Sequence, residues 1–124
     1  MTGDKFVLVD TYALIELIEG NPAYSTYTDC QWGTTQHALI ELFYYLLRTY
    51  GLESALKYHR LFKQRLHNLD DKVIAKAMVF RLENKKDKLS YTDCLGYALA
   101  QELNAPFLTG DIKFKGKVNV AFVQ

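Results

Sequence analysis

The chain has little of what redox or disulfide chemistry needs. Only two cysteines, Cys30 and Cys94, occur in 124 residues. They lie far apart and outside any C-x-x-C pair, so neither a disulfide framework nor a cysteine-based zinc site is indicated. Two ordinary reduced thiols are expected. Prolines are equally scarce, Pro22 and Pro106 alone, and no repeat, low-complexity tract or linker divides the chain. No apolar run approaches the roughly 20 residues that span a bilayer. The opening Met1-Thr2-Gly3-Asp4-Lys5 lacks the basic-then-apolar pattern of a secretory leader. A cytoplasmic protein without membrane association is therefore expected. Neither sign of charge dominates, with 15 Lys and Arg against 14 Asp and Glu. That balance alone argues neither for nor against a nucleic-acid partner.

What is present is the material of one ordinary globular domain over residues 1–124. Apolar residues make up 49% and charged residues 23%, which excludes a disordered chain. Phe6-Val7-Leu8-Val9 is a short apolar, β-branched run ending at Asp10, the pattern of a strand buried on both faces. Leu14, Ile15, Leu17 and Ile18 mark a helix stopped by Gly20-Asn21-Pro22. A helical turn near Tyr24 and a strand over about 32–35 are expected next. A helix over about 36–50 carries a stripe of Leu39, Leu42, Phe43, Leu46, Leu47 and Tyr50. A further helix is expected over about 52–66, and another over about 70–84 capped by Asp70. Lys85-Lys86-Asp87-Lys88 is an exposed connection. Ser90-Tyr91-Thr92-Asp93 has the form of a helix start, with Ser90 as cap and an acid three residues on. Ala105 to Thr109 and Val118 to Val123 complete the strands. Short apolar strands alternating with longer helices predict an α/β domain with a mainly parallel sheet of about five short strands flanked by helices. An all-helical domain would leave residues 6–9 and 118–123 unexplained.

In an open parallel sheet, sites form at the carboxyl edge of the strands. Asp10 ends the first strand, and Asp111 lies just past the strand before it. Asp93 is in the first turn of its helix and Glu41 in about the second turn of its own, and both helices start from that edge. Four acids thus fall on one edge by topology, although strand order decides whether they meet. Each also has a plainer explanation. Asp10 and Asp111 could end strands in Asp-containing turns, Asp93 could complement the helix dipole, and Glu41 could be a solvent-facing side chain.

Four segments occur in order: Val-Asp10-Thr-Tyr-Ala-Leu-Ile, Ile-Glu41-Leu-Phe-Tyr-Tyr-Leu-Leu-Arg, Ser-Tyr-Thr-Asp93-Cys-Leu-Gly-Tyr-Ala-Leu-Ala and Leu-Thr-Gly-Asp111-Ile-Lys-Phe. Together they resemble the PIN domain family, and within it the VapC-type ribonuclease toxins, across essentially the whole chain. The resemblance implies a PIN-like fold and a catalytic quartet of Asp10, Glu41, Asp93 and Asp111. It makes Thr109, from the family's Thr-x-Asp motif, an accessory polar group. Many relatives carry Ser or Thr two residues after the first Asp. This chain has Tyr12 there, and Thr11 is the available substitute. Residues 20–35 are short for the family.

A phosphodiester is anionic and would be repelled by bare carboxylates. Oxygen ligands suit the hard cations Mg²⁺ or Mn²⁺, which activate water and stabilise charge on the attacked phosphate. The resemblance implies a Mg²⁺-dependent endoribonuclease leaving a 5′-phosphate. Asp10 and Asp93 are the expected direct ligands, Asp111 a direct or water-mediated ligand, and Glu41 an outer ligand or water-orienting base. With the quartet set aside, bases outnumber the remaining acids by five. Arg48, Lys57, Arg60, Lys113, Lys115 and Lys117 are the candidates for an RNA-contacting rim. His37, His59 and His67 are too scattered for nucleophilic catalysis. The leading expectation is the toxin of a toxin–antitoxin pair, acting on RNA, silenced by a small antitoxin protein and, as relatives usually are, a homodimer. The alternatives are an RNA-processing PIN nuclease without an antitoxin, or a catalytically silent PIN binding module. A receiver-like phosphoacceptor domain ranks below these, because Val9 rather than an acid precedes Asp10.

Overall fold

The computed structural model describes residues 5–124; Met1 to Asp4, which open the segment without a leader pattern, lie outside the described residues. Four strands form one parallel sheet in the order β2-β1-β3-β4. They are β1 (Phe6–Val9), β2 (Gln31–Gly33), β3 (Phe107–Thr109) and β4 (Val120–Phe122). Five α-helices cover it: α1 (Thr11–Glu19), α2 (Gln36–Tyr50), α3 (Leu52–Phe62), α4 (Asp71–Glu83) and α5 (Tyr91–Glu102). This is the expected α/β architecture, with four strands among the described residues where about five were expected.

The boundaries shift where long-range contacts outweigh local pattern. The expected strand at 32–35 is displaced to Gln31–Gly33 because Thr35 leaves the sheet to cap α2, its hydroxyl accepting from the Ala38 N–H at 3.1 Å. Thr34 bridges Leu66, so the helix expected to reach residue 66 stops at Phe62. Its last residues, Lys63–Arg65, tighten into a 3₁₀ turn that delivers Leu66 to the bridge. Asp70 caps α4 as expected, its carboxylate accepting from the Val73 N–H at 2.9 Å.

The sheet separates two cores. On one side α4 and α5 pack over Leu8, Phe107 and Phe114. On the other, α1, α2 and α3 enclose Val7, Val9, Leu14, Leu39, Leu42, Leu46 and Leu108. Each fully buried Leu or Phe contributes roughly 1.5–3 kcal/mol by leaving water. Residues 94–100 of α5 are all buried, and Gly96 is what lets that helix approach β3. A Cβ there would stand 2.9 Å from the Phe107 ring. Cys30 and Cys94 are free and buried. No helix among the described residues is long and apolar enough to cross a membrane.

Candidate active site

Because β1 is central and flanked by β3, the residues that leave these two strands at their carboxyl ends are neighbours. Asp10 follows β1 and caps α1, its Oδ1 accepting the Ala13 N–H at 2.8 Å. Thr109 ends β3, and its hydroxyl donates to Asp10 Oδ2 while accepting the Asp111 N–H at 3.0 Å. Asp111 in turn starts a 3₁₀ turn (Ile112–Phe114) and accepts the Lys113 N–H at 3.0 Å. One hydroxyl therefore ties both strand-end acids into a single network.

The other two acids arrive on helix N-termini. Asp93 is the third residue of α5 and completes a capping box. Its Oδ2 accepts the Ser90 N–H at 2.9 Å, and the Ser90 hydroxyl accepts the Asp93 N–H at 3.0 Å. Glu41 projects from the second turn of α2, exposed, and its Oε1 accepts from the Thr11 hydroxyl at 2.8 Å. Thr11 thus reaches Glu41 from the position beside Asp10. The Tyr12 ring lies so close over Gly110 that a Cβ there would be 2.2 Å from Cε1.

The acids act on one another's charge. Burial pushes the Asp10 carboxyl from an ordinary 3.8 up to about 7. The hydrogen bonds from Thr109 and Ala13 oppose that rise, and the charges of Asp93 and Asp111 add to it. The Asp93 carboxyl is likewise raised, first by desolvation and further by Asp111 and Glu41. These are the signs of like charges held together in a partly dry place. Among the described residues, no three His, Cys, Asp or Glu side chains close into a ready-made ion cage. An all-oxygen set of this openness still fits Mg²⁺, which keeps several waters and is commonly held by one or two carboxylates. Asp10, Asp93 and Asp111 are the carboxylates that would hold it.

The basic candidates divide. Lys113 stands next to Asp111, its Nζ donating to the Lys88 carbonyl at 3.2 Å. Lys115 lies over the Phe122 ring. Lys117 is paired with Asp87 at 2.8 Å, which offsets its charge locally. Arg48 stacks on Tyr44 in the last turn of α2, about 10 Å farther along the axis than Glu41. Lys57 and Arg60 belong to α3. Among the described residues, none of these three forms an ion pair with the carboxylates. Sequence reasoning missed Arg81, whose Nε donates to the Leu89 carbonyl at 3.2 Å and whose guanidinium lies 4.2 Å over the Tyr91 ring. It sits mid-chain on α4 with no motif around it, so only the fold reveals it.

A PIN domain family model matches residues 7–118. Among solved structures, the chain is similar to Mycobacterium tuberculosis VapC20, described as a Sarcin-Ricin loop cleaving toxin. The identity is 18%, with 92% of this chain and 98% of that chain covered at a TM-score of 0.73. It is also similar to a toxin–antitoxin complex from Klebsiella pneumoniae (18% identity, 93% and 95% covered, TM-score 0.72). A third similar structure is VapBC2 from Rickettsia felis bound to a DNA fragment from its promoter (19%, 96% and 99%, TM-score 0.70). At such identities the likeness to these structures is one of fold. No curated protein matches.

Proposed function

This chain belongs to the PIN domain family, and on that premise we propose that it is a divalent-metal-dependent endoribonuclease of the VapC type, the toxin of a toxin–antitoxin pair. PIN domains are generally nucleases. The observation that carries the reading is the convergence of Asp10, Glu41, Asp93 and Asp111, in which burial first and the neighbouring acids next raise the carboxyls of Asp10 and Asp93. Such a cluster is costly to the fold and is repaid when a cation binds. A silent binding module would have no need to keep it. Two of the structures that this chain resembles are a toxin–antitoxin complex and a VapBC assembly, which supports a small protein antitoxin as partner.

When bound, Mg²⁺ or Mn²⁺ would supply an activated water and neutralise charge on the attacked phosphate. The chain's own residues do the rest. Thr109 and the Ala13 N–H hold Asp10 in one orientation, and the Ser90 capping box does the same for Asp93. Glu41, exposed and steered by Thr11, is placed to orient the attacking water and accept its proton. Lys113, at the rim beside Asp111, is placed to meet the RNA backbone. Exposed Ile40, Tyr44 and Leu47 on α2 are apolar surface of the kind that a second copy would cover in a homodimer.

The test is cleavage of a structured RNA by purified protein in Mg²⁺, compared with EDTA and with Asp93→Asn. Metal-dependent cleavage lost in the variant is expected. Cleavage by Asp93→Asn at the wild-type rate would refute the assignment.

A further inference from the structure

Beside the carboxylates, the start of α5 and the start of α2 border a cavity of about 330 Å³ lined by His37, Leu69, Ile74, Met78, Tyr91 and Leu95. The proposed cleavage mechanism makes no use of it. We propose that this cleft is a nucleobase subsite, in which a base flanking the scissile phosphate of the RNA stacks on Tyr91. The inference rests on the nuclease reading and deepens it.

Three observations carry it. The cleft and the acids are built on the same two helix starts: His37 and Glu41 are one turn apart on the same face of α2, and Tyr91 lies two residues before Asp93 in the first turn of α5. A strand whose phosphate lies at Asp93 has an adjoining base within reach of Tyr91. Second, Tyr91 is 59% exposed although it lines an apolar cavity. Arg81, anchored on the Leu89 carbonyl, covers one face of its ring. The rest of the ring is an exposed π-surface, the feature on which bases stack. Third, the charges suit a nucleotide. Arg81 adds a cation for the backbone next to carboxylates that would repel an acidic peptide, and exposed His37 offers ring nitrogens at the mouth for a base edge. Leu69, Ile74, Met78 and Leu95 give the cleft an apolar floor.

The test measures base recognition without turnover. Fluorescence anisotropy in EDTA, which withholds the cation that cleavage needs, compares 5′-labelled ten-residue RNA homopolymers with an abasic ten-mer of the same charge. The proteins are wild type, Tyr91→Ala and Tyr91→Phe, each also assayed for RNA cleavage. Wild type is expected to bind at least one homopolymer about five-fold or more tighter than the abasic strand. Tyr91→Ala is expected to lose that preference and to raise the KM for RNA with kcat within two-fold. Tyr91→Phe is expected to keep both, with all three melting alike. An unchanged base preference in Tyr91→Ala, in a protein that still cleaves RNA, overturns the subsite and leaves the nuclease reading standing. An unchanged preference accompanied by altered sedimentation would assign the face to protein contacts and equally overturn it. Wild type that neither cleaves nor binds any RNA refutes the nuclease reading, and the subsite with it.

Discussion

Asp10 and Asp111, one at the start of the chain and one near its end, share a single hydroxyl: Thr109 donates to the Asp10 carboxylate and accepts the Asp111 N–H. Thr109 is fully buried, so neither bond is available from water. Replacement by Val preserves the shape but strands the Asp111 N–H and removes a bond that lowers the Asp10 carboxyl. Thr109→Val is expected to lose about 1–3 kcal/mol of stability by urea denaturation. It should also bind Mn²⁺ more weakly by calorimetry, and Thr109→Ser should retain most of both.

Without metal, stability should fall as pH rises. The folded Asp10 carboxyl, at about 7, lies above its ordinary 3.8, so the native state holds a proton that the unfolded chain releases. The penalty is absent below about pH 4, grows as pH rises, and is complete above pH 7. Its size is on the order of 4 kcal/mol for this group alone. The raised Asp93 carboxyl acts in the same direction. Melting in EDTA from pH 5 to 8 measures this. Asp10→Asn should be at least as stable as wild type at pH 7.5, by about 1 kcal/mol or more, and should lose much of the stabilisation by added Mg²⁺. A variant clearly weaker in EDTA, yet stabilised by metal as well as wild type, would make Asp10 only a turn residue.

Metal uptake should be proton-coupled for the same reason. Because a ligating carboxylate must be ionised, apparent Mn²⁺ affinity is expected to weaken by up to about tenfold per pH unit below 7. Calorimetry in buffers of different ionisation enthalpy reads the released proton directly. A pH-independent affinity between 5.5 and 7.5 would contradict the assignment of Asp10 as a ligand.

The basic rim is expected to be uneven. Lys113→Ala should weaken RNA binding similarly across sequences and reduce the slope of log K against log salt by about one. Lys117→Ala should change RNA binding less, since Lys117 is already paired with Asp87. Its loss should cost at most about 1 kcal/mol of stability. Equal salt slopes for both variants and wild type would return these lysines to plain solvent.

Much of the fold is legible in the residues because local patterns and tertiary packing agree there. Phe6–Val9 is short, apolar and closed by Asp10, and Ser90 with Asp93 makes a capping box that needs no distant partner. The limits of β2 and α3 were hidden because they answer to the Thr34–Leu66 bridge, a contact between segments about thirty residues apart. The acids were legible one at a time as edge residues. Their meeting was implied by the family resemblance alone, because it depends on β1 lying between β2 and β3, which no local pattern encodes. The Thr11–Glu41 bond is of the same kind. Helical periodicity showed Glu41 to be off the leucine stripe, but could not show what faces it.

The central claim is that Asp10, Asp93 and Asp111 hold one divalent cation, with Glu41 beside it. Anomalous diffraction from a Mn²⁺-soaked crystal tests it most directly. The account predicts an anomalous peak among the three aspartates, within coordination distance of at least two carboxylates, that disappears in Asp93→Asn. A soaked crystal with no peak among them, or with its manganese bound elsewhere, would contradict it.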